Sequence, residues 1–451
     1  MPRFITLCLC VPLLLLWNQH LVGGVKRNPK MTYLENDYLK IGADLSIGGS
    51  ITYLSKKDGK KEGPNMVNSY DWGRQIQMSF YSGPQPFEPN GKKPHSHWKQ
   101  LGWNPIQSGD ASNNPSKVLK HSNDGKEIYV KTIPMHWPLN NQPGQCIFES
   151  WIKIEENIVH IKSKLTNARD DKTQYPGRNQ EVPALYSNAP WYRNITYTGD
   201  KPYTGGELVE ISRKPETPPF PWNRFQATEE WTALVDKNDE GFGVWSPKAQ
   251  EYLGGFAGKP GKGGTKSSPT NYVSPLQTEI LDHNIEHAYE YKLIVGSVKT
   301  IRDYVYANRS ESKGLNYTFK EDRQHWYYRN AIDTGFPIKN ELHLKLDKNN
   351  PMLISPLFCL EAKTIQSLRI RAAFTTGEKK ATLIWVRHGE KKPVKGDAFA
   401  FPIKSDGKMR TYEVKLSGTS NWNGTIIKLM LKPCRKGADN KRLRIEYIRS
   451  E

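Results

Sequence analysis

Residues 146–165, CIFESWIKIEENIVHIKSKL, decide the fold class. Ile152 and Ile154 fall on one face of an extended segment, Glu155-Glu156-Asn157 turns the chain, and Val159, Ile161 and Leu165 share one face of the return. Successive strand side chains point to opposite faces, so an apolar spacing of two on both sides of a turn spells a half-buried hairpin. The same spacing recurs in Tyr291, Leu293 and Val295, in Ile370, Ala372 and Phe374, and in Leu383 and Trp385. It returns in Tyr412, Val414 and Leu416, in Ile427, Leu429 and Leu431, and in Leu443, Ile445 and Tyr447. Apolar patterns with the 3.6-residue period of a helix are scarce. The chain is expected to be all-β.

Its 451 residues allow two or three domains. The closely spaced strands after Ile370 predict a compact β-sandwich over 346–451. Residues 308–345 are polar and irregular and are expected to be a linker. The preceding region, 25–307, is large for one sandwich, which implies a many-stranded antiparallel double sheet. Gly/Pro-rich stretches at 82–104, 214–222 and 254–275 are expected to be loops over its face, and long loops often carry function.

The N-terminus predicts export. Arg3 precedes an apolar run from Phe4 to Trp17, and Val22-Gly23-Gly24 supplies small residues for cleavage, so 1–24 is expected to be a secretory signal peptide. The run is short of the ~20 residues of a bilayer span, so stable membrane insertion is not expected. Of the cysteines left after cleavage, Cys359 and Cys434 are expected to pair in an oxidising compartment, leaving Cys146 over. Sequons at Asn194, Asn308, Asn316 and Asn423 are candidate glycosylation sites.

The 65 Lys and Arg exceed the 46 Asp and Glu, for a net charge of +19. Such a surface attracts polyanions. For an exported chain the expected partner is an acidic or sulfated polysaccharide, an anionic matrix or a mineral surface, rather than intracellular nucleic acid. No phosphate-cradling loop, dinucleotide fingerprint or nucleophile elbow occurs, and His95-x-His97 has no second pair of ligands at a diagnostic spacing. No cofactor and no metal are expected.

Two stretches carry a resemblance. Tyr38-Leu39-Lys40-Ile41-Gly42 followed by Gly48-Gly49-Ser50-Ile51-Thr52-Tyr53-Leu54 is similar to the opening strands of galactose-mutarotase-like domains. Those domains occur in sugar epimerases, polysaccharide lyases and glycoside hydrolases. From Asn350 to Ile448 the tail resembles a galactose-binding-like jelly roll. The resemblance implies a large antiparallel supersandwich followed by a carbohydrate-binding-like jelly roll, in a secreted carbohydrate-active protein. The catalytic motifs of aldose epimerases are not recognisable in the sequence, and fold alone does not fix function.

Four clusters in the first region join planar polar groups to aromatics, the mixture that grips sugar hydroxyls and sugar C–H faces. They supply Trp72, Arg74 and Gln75, then Trp98 and Trp103, then Arg178, Glu181, Tyr186 and Trp191, and finally Glu279, Asp282 and His283. Glycoside hydrolysis needs two carboxyls about 5–10 Å apart, for which Glu181, Glu279 and Asp282 are candidates. A lyase needs a base such as His283 or Tyr186 and a cation such as Arg74 or Arg178 to neutralise a uronate. Binding to an acidic matrix glycan without turnover is the third reading.

Overall fold

The computed structural model describes residues 28–211, 222–311 and 314–451. The period-two segments build four antiparallel sheets. The hairpin Cys146–Glu155/Ile158–Asn167 registers Ile152 on Ile161 and Ile154 on Val159, as the alternation requires. Its turn needs only Glu156 and Asn157, because Glu155 still pairs with Ile158 and Glu156 takes a positive φ of 48°. This hairpin lies in a nine-stranded sheet running from Val209–Glu210 at one edge to Lys117–Asn123 at the other.

An eleven-stranded sheet faces it. Its main path runs Met31–Glu35, Leu39–Asp44, Ser50–Asp58, Ile76–Ser79, Arg178–Asn188, Thr270–Glu279, Glu251–Ala257 and Asn223–Gln226. Leu39, Ile41, Leu54, Leu185 and Val273 from this sheet pack on Phe148, Ile161, Leu165, Phe242 and Leu293 from the other. At about 1.5–3 kcal/mol per fully buried large apolar side chain, this shared core dominates the stabilisation. Residues 254–275, expected as a loop, instead hold most of two strands, with a connection only at 258–269. Glycine and proline content hid the alternation of Asn271, Tyr272, Val273 and Ser274.

The first region closes with a helix, Val298–Asn308, where strand structure was expected to end. Ser297 caps it, its Oγ accepting from the Thr300 N–H at 3.1 Å. Val298, Ile301 and Val305 pack on the outside of the nine-stranded sheet against Trp231, Trp245 and Ile294. Gly243 permits this approach, since a Cβ there would lie 2.7 Å from the Ile301 side chain.

Two six-stranded sheets form a C-terminal sandwich around Leu368, Ile370, Leu383, Trp385, Leu429 and Leu443. The segment expected as a linker contributes Asn316–Thr318, Tyr327–Arg329, Ile332–Asp333 and Leu342–Lys345 to those sheets. Strands of two to four residues are too short to show a period. In Arg442–Ser450 a bulge at Glu446 breaks the expected alternation, so Ile448 rather than Tyr447 follows Ile445 into the core.

The expected Cys359–Cys434 disulfide is not formed. All three described cysteines are free, with Cys434 buried in the C-terminal core and the Cys359 Sγ lying 3.6 Å from the Asp200 carbonyl at the seam between the two regions. Cysteine counting gives compartment but no distance. Asn194 is also corrected as a glycosylation site, because it is buried and its Nδ2 donates to the Tyr272 carbonyl at 3.1 Å. Asn308, Asn316 and Asn423 are exposed. The expected signal peptide lies outside the described residues, as does most of the 214–222 stretch. Among the described residues no helix is long and apolar enough to cross a membrane.

Candidate functional site

Strand pairing across the eleven-stranded sheet aligns Glu181, Leu276, Glu251 and Gln226 in one row. Directly opposed residues share a face, so Glu181 and Glu251 project to the side turned away from the core. Strand Arg178–Asn188 carries one extra residue between Glu181 and Leu185 relative to both neighbours. That bulge reverses the alternation, and Glu181 and Tyr186, five residues apart, come onto the same face. Tyr186 then opposes Tyr272, with ring centroids 4.7 Å apart, and Trp222 stands 5.0 Å from the Tyr272 ring.

Tyr81 completes the group. Gln180 points away from Glu181 and clamps the Tyr81 backbone, its Oε1 accepting from the N–H at 2.6 Å and its Nε2 donating to the carbonyl at 3.0 Å. The Arg178 guanidinium sits 5.3 Å from the Tyr81 ring and donates to the Ser82 and Leu101 carbonyls at 3.1 and 2.6 Å. Arg74, bound to Asp71 at 3.1 Å and to the Ser268 carbonyl at 2.5 Å, lies near enough to Tyr186 for their charges to interact.

The electrostatics single out Glu181. Burial raises its pKa above the ordinary carboxylate range, and the neighbouring Tyr81 and Tyr272 phenols, with the Arg224 charge, offset that only in part. Burial, and next the Glu181 charge, push the Tyr81 and Tyr272 phenols well above their usual value, and Tyr186 is raised by the same two causes. These phenols are donors, not bases. The Tyr272 hydroxyl is buried without a hydrogen bond of good geometry. Glu251 is bound to Arg224 at 2.5 Å.

The structure thus groups Glu181, Tyr186 and Arg74; Arg178 starts from the opposite face of its strand and meets this group only through the Tyr81 ring, and the other expected site residues are dispersed. Glu279 opposes Arg178 and lies on the opposite face from Glu181. There it meets His325 Nδ1 in a short contact. Thr270–Glu279 ends the strand, and Asp282 sits in the turn beyond it, accepting from Arg323 Nη2 at 2.7 Å, Gln174 at 3.0 Å and the Phe336 N–H at 3.1 Å. Arg323 also grips Asp333 at 2.6 Å, so these carboxylates fasten the C-terminal sandwich to the first region. His283 is half-buried in the same turn.

Trp72, Gln75, Trp103 and Trp191 are buried. The Gln75 Nε2 donates to the Asp71 carbonyl at 2.5 Å, Trp103 stacks under Arg169 at 5.1 Å, and the Trp191 carbonyl accepts from Asn271 at 2.9 Å. Trp98 packs edge-on against Trp137 at 5.7 Å, in a separate loop. Large aromatics are needed in a core of this size as well as in a site, and composition does not separate the two uses. Sequence reading missed Tyr272, Trp222, Arg224 and Glu251. The alternation in 270–279 was the available signal.

Among the described residues no group of three His, Cys, Asp or Glu side chains is placed to hold a metal. Two open clefts lie elsewhere. One, about 590 Å³, is lined by Lys320, Arg371, Glu446, Tyr447 and Arg449, and its carboxylate is bound to Arg371 at 2.7 Å. The other, about 400 Å³, lies at the seam beside Asp200 and Cys359. Neither includes Glu181.

No protein-family model matches the sequence, and no curated protein matches it. Among solved structures, the chain is similar to a galactose mutarotase related enzyme from Lactobacillus acidophilus, with 11% identity and a TM-score of 0.40 over 59% of this chain and 97% of that one. A galactose mutarotase-like protein from Lactobacillus casei gives 12%, 0.39, 59% and 99% in the same order. A low affinity xylan binding module from Roseburia intestinalis gives 12% and 0.21, over 31% of this chain and 94% of the module. Likeness at this level carries no argument about chemistry, which rests on the side chains described above.

Proposed function

We propose that the protein is a secreted polysaccharide-degrading enzyme of the hydrolase type, acting on an acidic extracellular glycan at the outer face of the eleven-stranded sheet around Glu181. One observation carries the reading: Glu181 is a half-buried carboxyl whose pKa its surroundings raise, without an ion-pair partner among the described residues, set among phenols and the half-buried Tyr186 and Trp222 rings. A carboxyl that keeps its proton can protonate a glycosidic oxygen. Tyr81 would donate to sugar hydroxyls, and the half-buried Trp222 and Tyr186 rings, backed by the buried Tyr272 ring, would stack on ring C–H faces.

Glu251 is the candidate second carboxylate. It lies two strands from Glu181 in the same row, about 10 Å away along the backbone, and is ion-paired with Arg224 at 2.5 Å. That spacing suits an inverting pair with a water between the carboxyls better than the ~5 Å of a retaining pair. The raised tyrosine pKa values speak against a tyrosinate base and hence against β-elimination at this face. Secretion is supported by the N-terminal leader pattern and by the exposed sequons at Asn308, Asn316 and Asn423.

The test is incubation of the purified mature protein with neutral, uronate and sulfated polysaccharides, following reducing ends together with the ultraviolet absorbance of unsaturated uronate. New reducing ends without absorbance, lost in Glu181→Gln, support hydrolysis. Both signals rising together would make the protein a lyase. Retention on an anionic glycan column without any product would make it a binding protein and overturn the enzyme reading.

A further inference from the structure

The C-terminal sandwich docks along the edge of the face that bears Glu181. Gln226, in the edge strand Asn223–Gln226, donates from Nε2 to the Phe358 carbonyl at 3.2 Å. His388 Nε2 lies 2.7 Å from the Thr198 carbonyl, and Thr425 donates to the Asp200 carbonyl at 3.3 Å. The sheet nearest this edge contains strands Tyr327–Arg329, Met352–Ile354 and Thr425–Lys432, with Tyr327, Ile354 and Met430 in one row. Lys428 lies two residues from Met430 and Arg329 two residues from Tyr327, so both stand on the face that carries this row. The Tyr327 Cβ is only 2.9 Å from where a Cβ on Gly177 would stand, which turns that face toward the first region.

Lys428 is half-buried, and its ammonium has no hydrogen bond or ion pair among the described residues. Its surroundings are Glu251, Arg224 and Arg329: one carboxylate, already held by Arg224, against two further cations. Burial first, then the two guanidinium charges, lower the Lys428 pKa, while Glu251 works the other way. A half-buried ammonium crowded by arginines is unfavourable, and an anion placed among these groups removes the conflict. Arg224 also acts on Glu181, so the cationic group and the acid are electrostatic neighbours.

We infer that Arg224, Arg329 and Lys428 form an anion-recognising subsite, shared between the two regions, that seats the acidic group of a sugar residue in the same bound chain as the residue at Glu181. This inference rests on the Glu181 reading and adds to it the charge-selecting element. It also gives the appended sandwich a part in the site, because Lys428 and Arg329 belong to the sandwich and Arg224 to the large sheet. The shared chemistry is a monoanionic oxygen group, either a uronate carboxylate or a sulfate ester.

The experiment compares kcat/KM of the full-length mature protein on a uronate oligosaccharide and on its carboxyl-reduced counterpart, and likewise on a sulfated oligosaccharide and its desulfated form. Lys428→Met is expected to lower the acidic-to-neutral preference about tenfold, the equivalent of ~1.4 kcal/mol, for whichever anion is recognised. Lys428→Arg should restore it, and rising salt should erase it. An unchanged preference in folded Lys428→Met, or an equal loss on acidic and neutral substrates, would overturn the inference. Binding of the same oligosaccharides to Glu181→Gln separates the two claims. Lys428-dependent retention without turnover in any form sinks the enzyme reading and keeps the subsite, whereas Glu181-dependent turnover indifferent to Lys428 does the reverse. If Lys428→Met unfolds, Arg329→Gln on the exposed side of the cluster is measured in its place, with the same outcomes.

Discussion

Glu181 and Glu279 lie within three register steps of each other on paired strands, yet their surroundings differ in kind. Around Glu279 every charge has an answer: His325 meets Glu279, and Arg323 holds both Asp282 and Asp333. Around Glu181 the neighbours are phenols and aromatic faces, and the carboxyl is left in a state that burial makes costly to ionise. The two patches draw on the same residue types. What separates a fastening from a site here is whether the charges are already satisfied within the protein.

The comparison breaks most sharply at Glu181. Glu181→Gln is expected to cut turnover about 10²- to 10⁴-fold, the range for loss of a general acid, while leaving the fold intact. Because the folded-state pKa of Glu181 is raised, its favourable contribution to stability is present at low pH and is lost as pH rises through that raised value. The glutamine variant should therefore melt no lower than the parent at neutral pH, and activity of the parent should fall along the same alkaline limb. A glutamine variant with full turnover would remove Glu181 from the chemistry.

Arg323→Ala should do the opposite. It leaves two buried carboxylates without their cation, at an expected cost of about 3–5 kcal/mol in chemical denaturation. A loss below about 1 kcal/mol would mean that the seam is not fastened by this triad.

The His325–Glu279 pair predicts a pH window. Burial lowers the His325 pKa, but the charge and hydrogen bond of Glu279 outweigh it and the net shift is upward. Its contribution is whole below about pH 6.5 and is lost as pH rises through the raised value. Burial raises Glu279, but the His325 charge outweighs that and the net shift is downward, so its contribution is whole above about pH 4.3 and is lost as pH falls through the lowered value. The melting-temperature gap between parent and His325→Gln should be widest between these limits and should narrow on the alkaline side. A gap independent of pH would show that His325 acts through packing alone.

The smallest effect sharpens the contrast most. Removing the unbonded, buried hydroxyl in Tyr272→Phe should leave the melting temperature unchanged or slightly higher and leave glycan binding as it is, since the ring does not reach the surface. Weaker glycan binding by the phenylalanine variant would mean that the hydroxyl reaches the ligand.

The alternation in 146–165 and in the strands after Ile370 was enough to establish an all-β chain, because a period of two is a local property of each strand. Local pattern also carried Glu181, Arg178, Arg74 and Tyr186 as candidates by residue type. It did not separate Trp72 and Trp103, which are buried, from Trp222, which is half-buried beside the Tyr272 ring. Three things needed the tertiary structure. The bulge after Glu181 decides which side chains share its face, and a one-residue insertion is invisible without the partner strands. The docking of the sandwich turns Asp282 and Glu279 into fastenings and brings Lys428 toward Arg224 from more than two hundred residues away in the chain. Finally, the pKa of a carboxyl depends on what surrounds it rather than on its sequence neighbours, so only the folded chain sets Glu181 apart from the other acids.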